Sequence, residues 1–411
     1  MDAEIIAVGS ELLTPQNIDT NSLYLTERLN NLGILVRFKT IVGDSIEDLG
    51  KVFRAALERS PLIVLTGGLG PTDDDLTRDV VAQILERPLH EVAEVRRSIE
   101  ARYARLGRAM PENNLRQARV PEGGEWLENR NGTAPGIWIE RKDNIVVLLP
   151  GPPRELEPLF DATCVPRLER VASGARIKSR VYKVVGLPES EVDQLIAPLY
   201  RPYKNPTTTI LATLGSIEVH LRARAATDQQ AETLLAELGD KIELALSDHV
   251  YSTKGESLEE VVGMYLVMRQ KTLAVAESCT GGLLAERLTR ISGSSSYFLG
   301  GAVCYTNEMK TRWAGVPADL IQAHGAVSKP VAQALAEGVR ARAGSSIGLG
   351  ITGIAGPTGG SSEKPVGLVF VALADERGTQ VREFHFPGSR DRVRLWATQM
   401  ALEMVRRRIR D

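Results

Sequence analysis

At 411 residues the chain is longer than a usual single domain, so two or three domains, each burying its own core, are expected. Its 43% apolar and 25% charged residues are the balance of a soluble globular protein. A net charge of −2 sets up no global field for nucleic acid or anionic lipid, so a nucleic-acid partner is not expected and any polyanion would need a local patch.

No apolar run approaches the roughly 18 residues of a membrane span. Met1-Asp-Ala-Glu4 has neither the basic start nor the apolar stretch of a signal peptide, so a cytoplasmic protein with no membrane partner is expected. Cys164, Cys279 and Cys304 are too few and too scattered for a disulfide framework or a Cys-rich zinc site.

Glu4-Ile-Ile-Ala-Val-Gly9 reads as a short strand running into Gly9-Ser10-Glu11. A helix with apolar Leu23, Leu25, Leu29 and Leu32 follows, then a strand from Ile34 to Val42, a helix capped by Gly43-Asp44-Ser45, and Pro61-Leu-Ile-Val-Leu-Thr66, a run apolar enough for a strand buried on both faces. Alternating strand and helix predicts a parallel α/β sheet whose ligands sit beyond the carboxyl ends of its strands.

The loop from Thr66 to Asp79 lies at such an end. Its glycines Gly67, Gly68 and Gly70 leave main-chain N–H groups free for phosphate oxygens, with Thr72 beside them. Asp73, Asp74 and Asp75 would repel a phosphate unless a divalent cation such as Mg²⁺ lay between, so a phosphate-and-metal site is the economical reading. The plainer alternative is a helix cap with acidic first-turn residues. Asn131-Gly-Thr133-Ala-Pro-Gly136 and Leu148-Leu-Pro-Gly151-Pro-Pro-Arg-Glu155 are two more Gly/Pro loops bordering strands, and three such loops suggest a nucleotide-sized pocket.

From about Ser179 to Tyr251 the texture is that of a small α+β module: strands at Val181–Val185, Thr207–Leu211 and Ser216–Arg224, with helices after Pro188 and from Asp228. The arrangement is KH-like. It has no Gly-x-x-Gly clamp and no strong basic run, which favours a spacer or dimerisation role.

A helix from near Ser257 leads to the apolar strand Thr272–Ala276 and the turn Glu277-Ser-Cys-Thr280-Gly281-Gly282 before a helical pattern at Leu283. Ser278, Cys279 and Thr280 are expected to project into one small volume, and the free N–H groups of the helix start to stabilise a phosphate or a developing oxyanion. A capped helix is the plain alternative. Strand Gly301–Tyr305 is followed by a helix opening at Thr306 that carries Lys310; a desolvated lysine near Ser278 would take the serine proton, as in Ser-Lys amidases. Gly348 to Gly360 is a strand entering another glycine-rich loop, and Arg390, ahead of the last helix, can fork onto a phosphate or pair with Asp391.

These motifs together resemble the competence/damage-inducible CinA family. The likeness rests on Thr66-Gly-Gly-Leu-Gly-Pro-Thr-x-Asp-Asp75, Asn131–Gly136 and Leu149-Pro-Gly-Pro-Pro-Arg-Glu155 in the first part, and on Ala276–Gly282, Tyr305-x-Asn307-Glu308-x-Lys310, Gly325–Ser328, Gly353–Pro357 and Glu363–Gly367 in the last. It implies an α/β protein of three parts: a molybdopterin-binding-like domain over 1–170, the KH-like module over 178–252 and an α/β deamidase domain over 256–411. The implied activities are deamidation of nicotinamide mononucleotide, without a cofactor, and hydrolysis of ADP-ribose with a divalent metal, Mg²⁺ or Co²⁺, held at Asp73, Asp74 and Asp75. Both substrates are nucleotides of pyridine-nucleotide recycling, and a homodimer is expected.

The resemblance makes Ser278 the nucleophile and Lys310 its base, with Tyr305 and Thr352 beside them. Thr280, Gly281, Gly282, Ser295, Gly353, Gly356 and Arg390 would bind substrate there. In the first domain Gly67, Gly68, Gly70, Thr72, Asn131, Thr133 and Gly151 would do so. Gly388-Ser-Arg390 departs from the Gly-Asp-Arg associated with the family, which puts a role for that acid in doubt but not one for the arginine. Two other readings stay open: a first domain that only binds a nucleotide and regulates the last, and a binding protein associated with DNA damage or competence.

Overall fold

The computed structural model describes every residue except Ser173, Leu214 and Asp411. It divides into two compact units, Met1–Lys178 with Arg222–Leu235, and Ser179–Leu221 with Ala236–Asp411. Among the described residues no helix is long and apolar enough to cross a membrane.

In the first unit β1 (Asp2–Val8), α1 (Thr20–Asn31), β2 (Leu35–Val42), α2 (Ile46–Arg59), β3 (Leu62–Thr66) and α3 (Thr77–Ile84) alternate as the apolar pattern predicts. They are followed by β4 (Leu89–Glu91), α4 (Ala93–Arg105), β5 (Arg119–Pro121), β6 (Gly124–Leu127), β7 (Gly136–Glu140), β8 (Ile145–Leu149), α5 (Pro153–Leu159) and α6 (Val165–Val171). Side chains start two helices: Asp19 accepts from Ser22 N, and Ser45 accepts from Asp48 N as its position before an acidic turn suggests. Leu25 and Leu29 of α1 are buried, but Leu23 is exposed, being on the helix's other face.

The main sheet runs β2-β1-β3-β8-β7-β6. β1, β2 and β3 are parallel, as their alternation with helices predicts, and so is β8, but β7 is antiparallel to both neighbours. The four residues between β7 and β8 suffice for a hairpin and are too few for a parallel crossover. Both faces are covered: Ile5, Val64 and Val147 pack with α1 and α5, whereas Ile6, Ile63 and Leu65 pack with Phe53 of α2. That two-sided burial explains the unbroken apolar runs.

The small module comprises β9 (Arg176–Val184), α7 (Glu189–Tyr200), β10 (Thr207–Thr213), β11 (Ser216–Ala225), α8 (Asp228–Leu246) and β12 (Val250–Ser252), its sheet ordered β10-β11-β9-β12.

The chain after the small module, all in the second unit, begins with α9 (Leu258–Met268), started by a Ser257/Glu260 capping box. There follow β13 (Leu273–Glu277), α10 (Leu283–Thr289), β14 (Phe298–Val303), α11 (Asn307–Ala314), α12 (Ala318–His324), α13 (Lys329–Ala343), β15 (Ile347–Gly353), β16 (Leu368–Asp375), β17 (Gly378–His385) and α14 (Arg390–Arg410). The order is β14-β13-β15-β16-β17, parallel from β14 to β15 and antiparallel beyond. Val275, Leu349 and Val371 pack toward α9 and α14, and Ala274 and Ala276 toward α13. The chain leaves β13 for one neighbour, β14, and returns on its other side as β15, so the carboxyl end of β13 is a switch point where a crevice forms.

Two candidate active sites

Just past that switch point stands Ser278. Its N–H donates to Ile351 O of β15 at 3.0 Å, and Gly281 N closes the turn on Ser278 O at 3.1 Å. Gly281 and Gly282 take φ of +60° and +93°, a region that side-chain-bearing residues rarely enter. Glu277, 1% exposed, folds its carboxylate onto Gly282 N, Leu284 N and Ala285 N at 3.1, 3.0 and 2.8 Å. The start of α10 is therefore not free for a phosphate, as the sequence suggested; an anionic side chain already satisfies its donors. The N–H group of Thr280 takes no partner among the described residues and that of Cys279 meets only its own thiol, which leaves these two as the donors of the turn.

The three side chains of the turn also part company. Cys279 enters the apolar core beside Val275 and Leu284, and burial pushes its thiol up to about 12, so it stays protonated. Thr280 is fully buried with its Oγ1 unpartnered. Only Ser278 meets a polar side chain: Lys310 Nζ lies 3.0 Å from Ser278 Oγ, 3.0 Å from Cys304 O and 3.1 Å from Tyr305 O.

Lys310 is 2% exposed, and burial lowers its pKa from the ordinary lysine value. Three acceptors match the three N–H directions of an ammonium. In the neutral amine two N–H groups keep the carbonyls, and the lone pair is left facing the Ser278 hydroxyl. The arrangement can thus remove the serine proton without moving any heavy atom.

Tyr305, 55% exposed, accepts from Arg390 Nη2 at 2.8 Å, and Arg390 Nη1 donates to Gly356 O at 2.9 Å. Arg390 does not pair with Asp391, which instead lies 3.5 Å from Arg394. Ser389, at the departing acidic position, accepts from Arg392 N at 3.4 Å and so caps α14, a task that an aspartate also performs. Thr352 is fully buried with its hydroxyl on Ala326 O at 2.8 Å, and Gly353 packs so tightly that a Cβ would lie 2.7 Å from Leu368 O. Ser295 is exposed in a 3-10 turn, and no described contact brings it to Ser278.

In the first unit a cleft of about 400 Å³ opens beyond the carboxyl ends of β1, β3 and β8, where the strand order reverses. Gly67, Gly68, Gly70, Thr133 and Gly151 line it. A Cβ on Gly67 would lie 2.1 Å from Val8 O, so only glycine lets the β3 loop pass the end of β1. Thr72 and Asn131 are not in its wall: Thr72 supports Asp75, and Asn131 Nδ2 donates to Arg154 O at 3.0 Å.

The three aspartates diverge. Asp75 accepts from Gly70 N, Thr72 N and Thr72 Oγ1 at 2.7, 2.9 and 2.6 Å, which makes it the brace of the loop. Asp73 is fully exposed and pairs with Arg116 at 2.7 Å. Asp74 lines the cleft, as Asp75 also does, together with Glu11, Asp44 and Glu155, three carboxylates outside the motif of consecutive aspartates. The signal for Glu11 and Asp44 was their place directly after β1 and β2. Among the described residues no group of three His, Cys, Asp or Glu side chains is placed to hold a metal. The donor set therefore does not fit an all-protein cage at Asp73, Asp74 and Asp75. A hard cation that keeps water and phosphate ligands needs only one or two carboxylates, and Glu11, Asp44, Asp74, Asp75 and Glu155 all line the cleft.

Compared with known proteins, three family models match the chain: "Probable molybdopterin binding domain" over residues 4–170, "Damage-inducible protein CinA KH domain" over 179–252 and "CinA C-terminal domain" over 255–409. A CinA-like protein of Koribacter versatilis is 52% identical over 413 residues, covering 100% of each chain, and one of Solibacter usitatus is 50% identical over 409, covering 100% of this chain and 98% of its own. Among solved structures, the competence/damage inducible protein CihA from Agrobacterium tumefaciens is 35% identical, covering 39% of this chain and 100% of that one, with a TM-score of 0.36.

Proposed function

The chain belongs to the CinA family, and on that premise we propose that its second unit is an amidase that hydrolyses nicotinamide mononucleotide to nicotinate mononucleotide and ammonia. The observation that carries the reading is the buried Ser278–Lys310 contact of 3.0 Å, with Lys310 lacking any carboxylate partner among the described residues. Such a lysine is discharged more readily than a surface one.

Ser278 Oγ attacks the carboxamide carbon as its proton passes to Lys310 Nζ. The oxyanion of the tetrahedral intermediate meets the N–H groups of Cys279 and Thr280. Lys310 then returns the proton to the amide nitrogen, the C–N bond breaks and ammonia leaves an acyl group on Ser278. Water, deprotonated by the same amine, then attacks the acyl carbon, the C–Oγ bond breaks, Lys310 returns the proton to Ser278 Oγ and nicotinate mononucleotide leaves. Arg390, with its guanidinium at the surface beside Tyr305, is suited to the substrate phosphate.

For the first unit we propose hydrolysis of ADP-ribose to AMP and ribose 5-phosphate in the glycine-lined cleft. A divalent ion bound with the pyrophosphate would supply charge neutralisation there. Among the described residues the Gly68 N–H has no partner and is left for a phosphate oxygen, whereas Gly67 N already donates to Leu149 O at 3.0 Å and Gly70 N to Asp75 at 2.7 Å; Asp74 is one of the carboxylates lining the cleft that would share the ion. A regulatory module would instead bind ADP-ribose saturably without cleaving it.

The deciding experiment is ammonia release from nicotinamide mononucleotide by the intact chain and by Ser278→Ala. Turnover by the first and none by the second supports the reading; no turnover by the intact chain ends it.

A further inference from the structure

The contacts around Ser278 close into a ring. Lys310 Nζ joins Ser278 Oγ to Tyr305 O, and the Tyr305 hydroxyl accepts from Arg390 at 2.8 Å. Arg390 opens α14, and one turn later Arg394 sends Nε and Nη2 to Thr280 O at 3.2 and 2.9 Å. Residues four apart share one face of a helix, so the substrate-facing arginine and the turn-holding arginine are carried on a single rigid element. That element is fixed in place, with Val393, Ala397 and Ala401 fully buried.

The turn needs an external hold. Two consecutive glycines at positive φ have more conformational freedom than any other pair. Glu277 restrains the turn from its N–H side, and on its carbonyl side Thr280 O takes one long bond from Leu283 N at 3.3 Å and the two shorter ones from the Arg394 guanidinium. Because Thr280 O and Gly281 N share one planar peptide, fixing the carbonyl also fixes the N–H that closes the turn on Ser278 O.

We propose that Arg394 is a positioning residue for the nucleophile: it registers the Ser278 turn and its two free N–H groups against the helix that carries Arg390, so that an anion seated on Arg390 is aligned with the serine. The proposal rests on the reading of Ser278 as the nucleophile of an amidase. Displacement of the turn by a fraction of an ångström lowers the rate of attack and leaves the phosphate grip intact.

The test compares Arg394→Met and Arg394→Lys with the intact chain, measuring kcat and KM for nicotinamide mononucleotide well below each thermal midpoint. Arg394→Met should lose about 10- to 100-fold in kcat with KM within about twofold. Arg394→Lys should recover part of that, since an ammonium still donates to the Thr280 carbonyl. A residue that only stabilises the fold would lower the thermal midpoint and leave kcat at low temperature unchanged, and that result overturns the proposal, as does a rise in KM alone. Labelling of Ser278 by a fluorophosphonate needs an aligned serine but no nucleotide. If the intact chain labels at Ser278 but releases no ammonia, the substrate assignment is wrong; the Arg394 proposal then stands if Arg394→Met labels about tenfold slower and falls if it labels at the same rate.

Discussion

Lys310 Nζ sits 3.0 Å from Ser278 Oγ, with the carbonyls of Cys304 and Tyr305 taking its two other hydrogen-bonding directions. The neighbouring Cys279 is the intrinsically better nucleophile, yet burial keeps its thiol protonated, with a pKa near 12. Ser278→Ala should therefore abolish ammonia release while the thermal midpoint stays close to that of the parent chain. Cys279→Ala should retain most of the turnover. The reverse pattern would move the nucleophile to the cysteine.

Much of this was readable before any coordinates. The run Pro61–Thr66 gave away β3, because a strand covered on both faces needs no alternation, and Thr306 announced α11 by the ordinary logic of a cap. The sense of β7 and β16 was not readable: Ile137–Ile139 and Val369–Leu373 are as apolar as the parallel strands, since burial, not direction, sets composition. Nor does a separation of 32 positions say that Lys310 meets Ser278; adjacency of β13 and β14 brings their following loops together. The roles of Glu277 and of the consecutive aspartates depend on which N–H groups the turns present, and residue type alone does not encode that.

In the acidic loop, Asp75 and Asp74 should fail in different ways. Asp75→Ala removes the acceptor of three hydrogen bonds at Gly70 and Thr72 and should cost about 1–3 kcal/mol of stability as well as activity. Asp74→Ala removes a carboxylate facing the cleft and should leave the melting curve unchanged while abolishing metal-dependent cleavage of ADP-ribose. Deamidation, proposed for the other unit, should persist in both at temperatures where they are folded. Calorimetry beside the two activity assays checks this; an Asp74→Ala chain that melts early would show the residue to be structural.

Glu277→Gln replaces an acceptor of three N–H bonds by an amide whose nitrogen cannot accept. With the carboxylate nearly inaccessible to water, the loss should be about 1–3 kcal/mol, seen as a lower denaturant midpoint with an unchanged slope. kcat should fall as the turn loosens. A variant as stable as its parent would mean that the carboxylate does not hold the start of α10.

The pH dependence of deamidation should follow Lys310. Burial lowers its pKa in the folded chain, so the neutral amine that accepts the serine proton is populated at lower pH than for a surface lysine. kcat/KM should then rise with pH along a limb of unit slope and level off below about 10.4, the ordinary lysine value. Stability obeys the same sign. Between the lowered folded pKa and the ordinary one the unfolded chain binds more protons, so raising the pH through that window stabilises the fold at this residue. In Lys310→Met the limb and this part of the stability gain should both vanish, with turnover nearly lost. Lys310→Arg keeps a cation but supplies no base, because a guanidinium does not discharge in this range. It should therefore be as inactive as the methionine variant. An arginine chain with near-normal kcat, or an intact chain whose acidic limb survives in Lys310→Met, would show that Lys310 binds charge and does not move the proton.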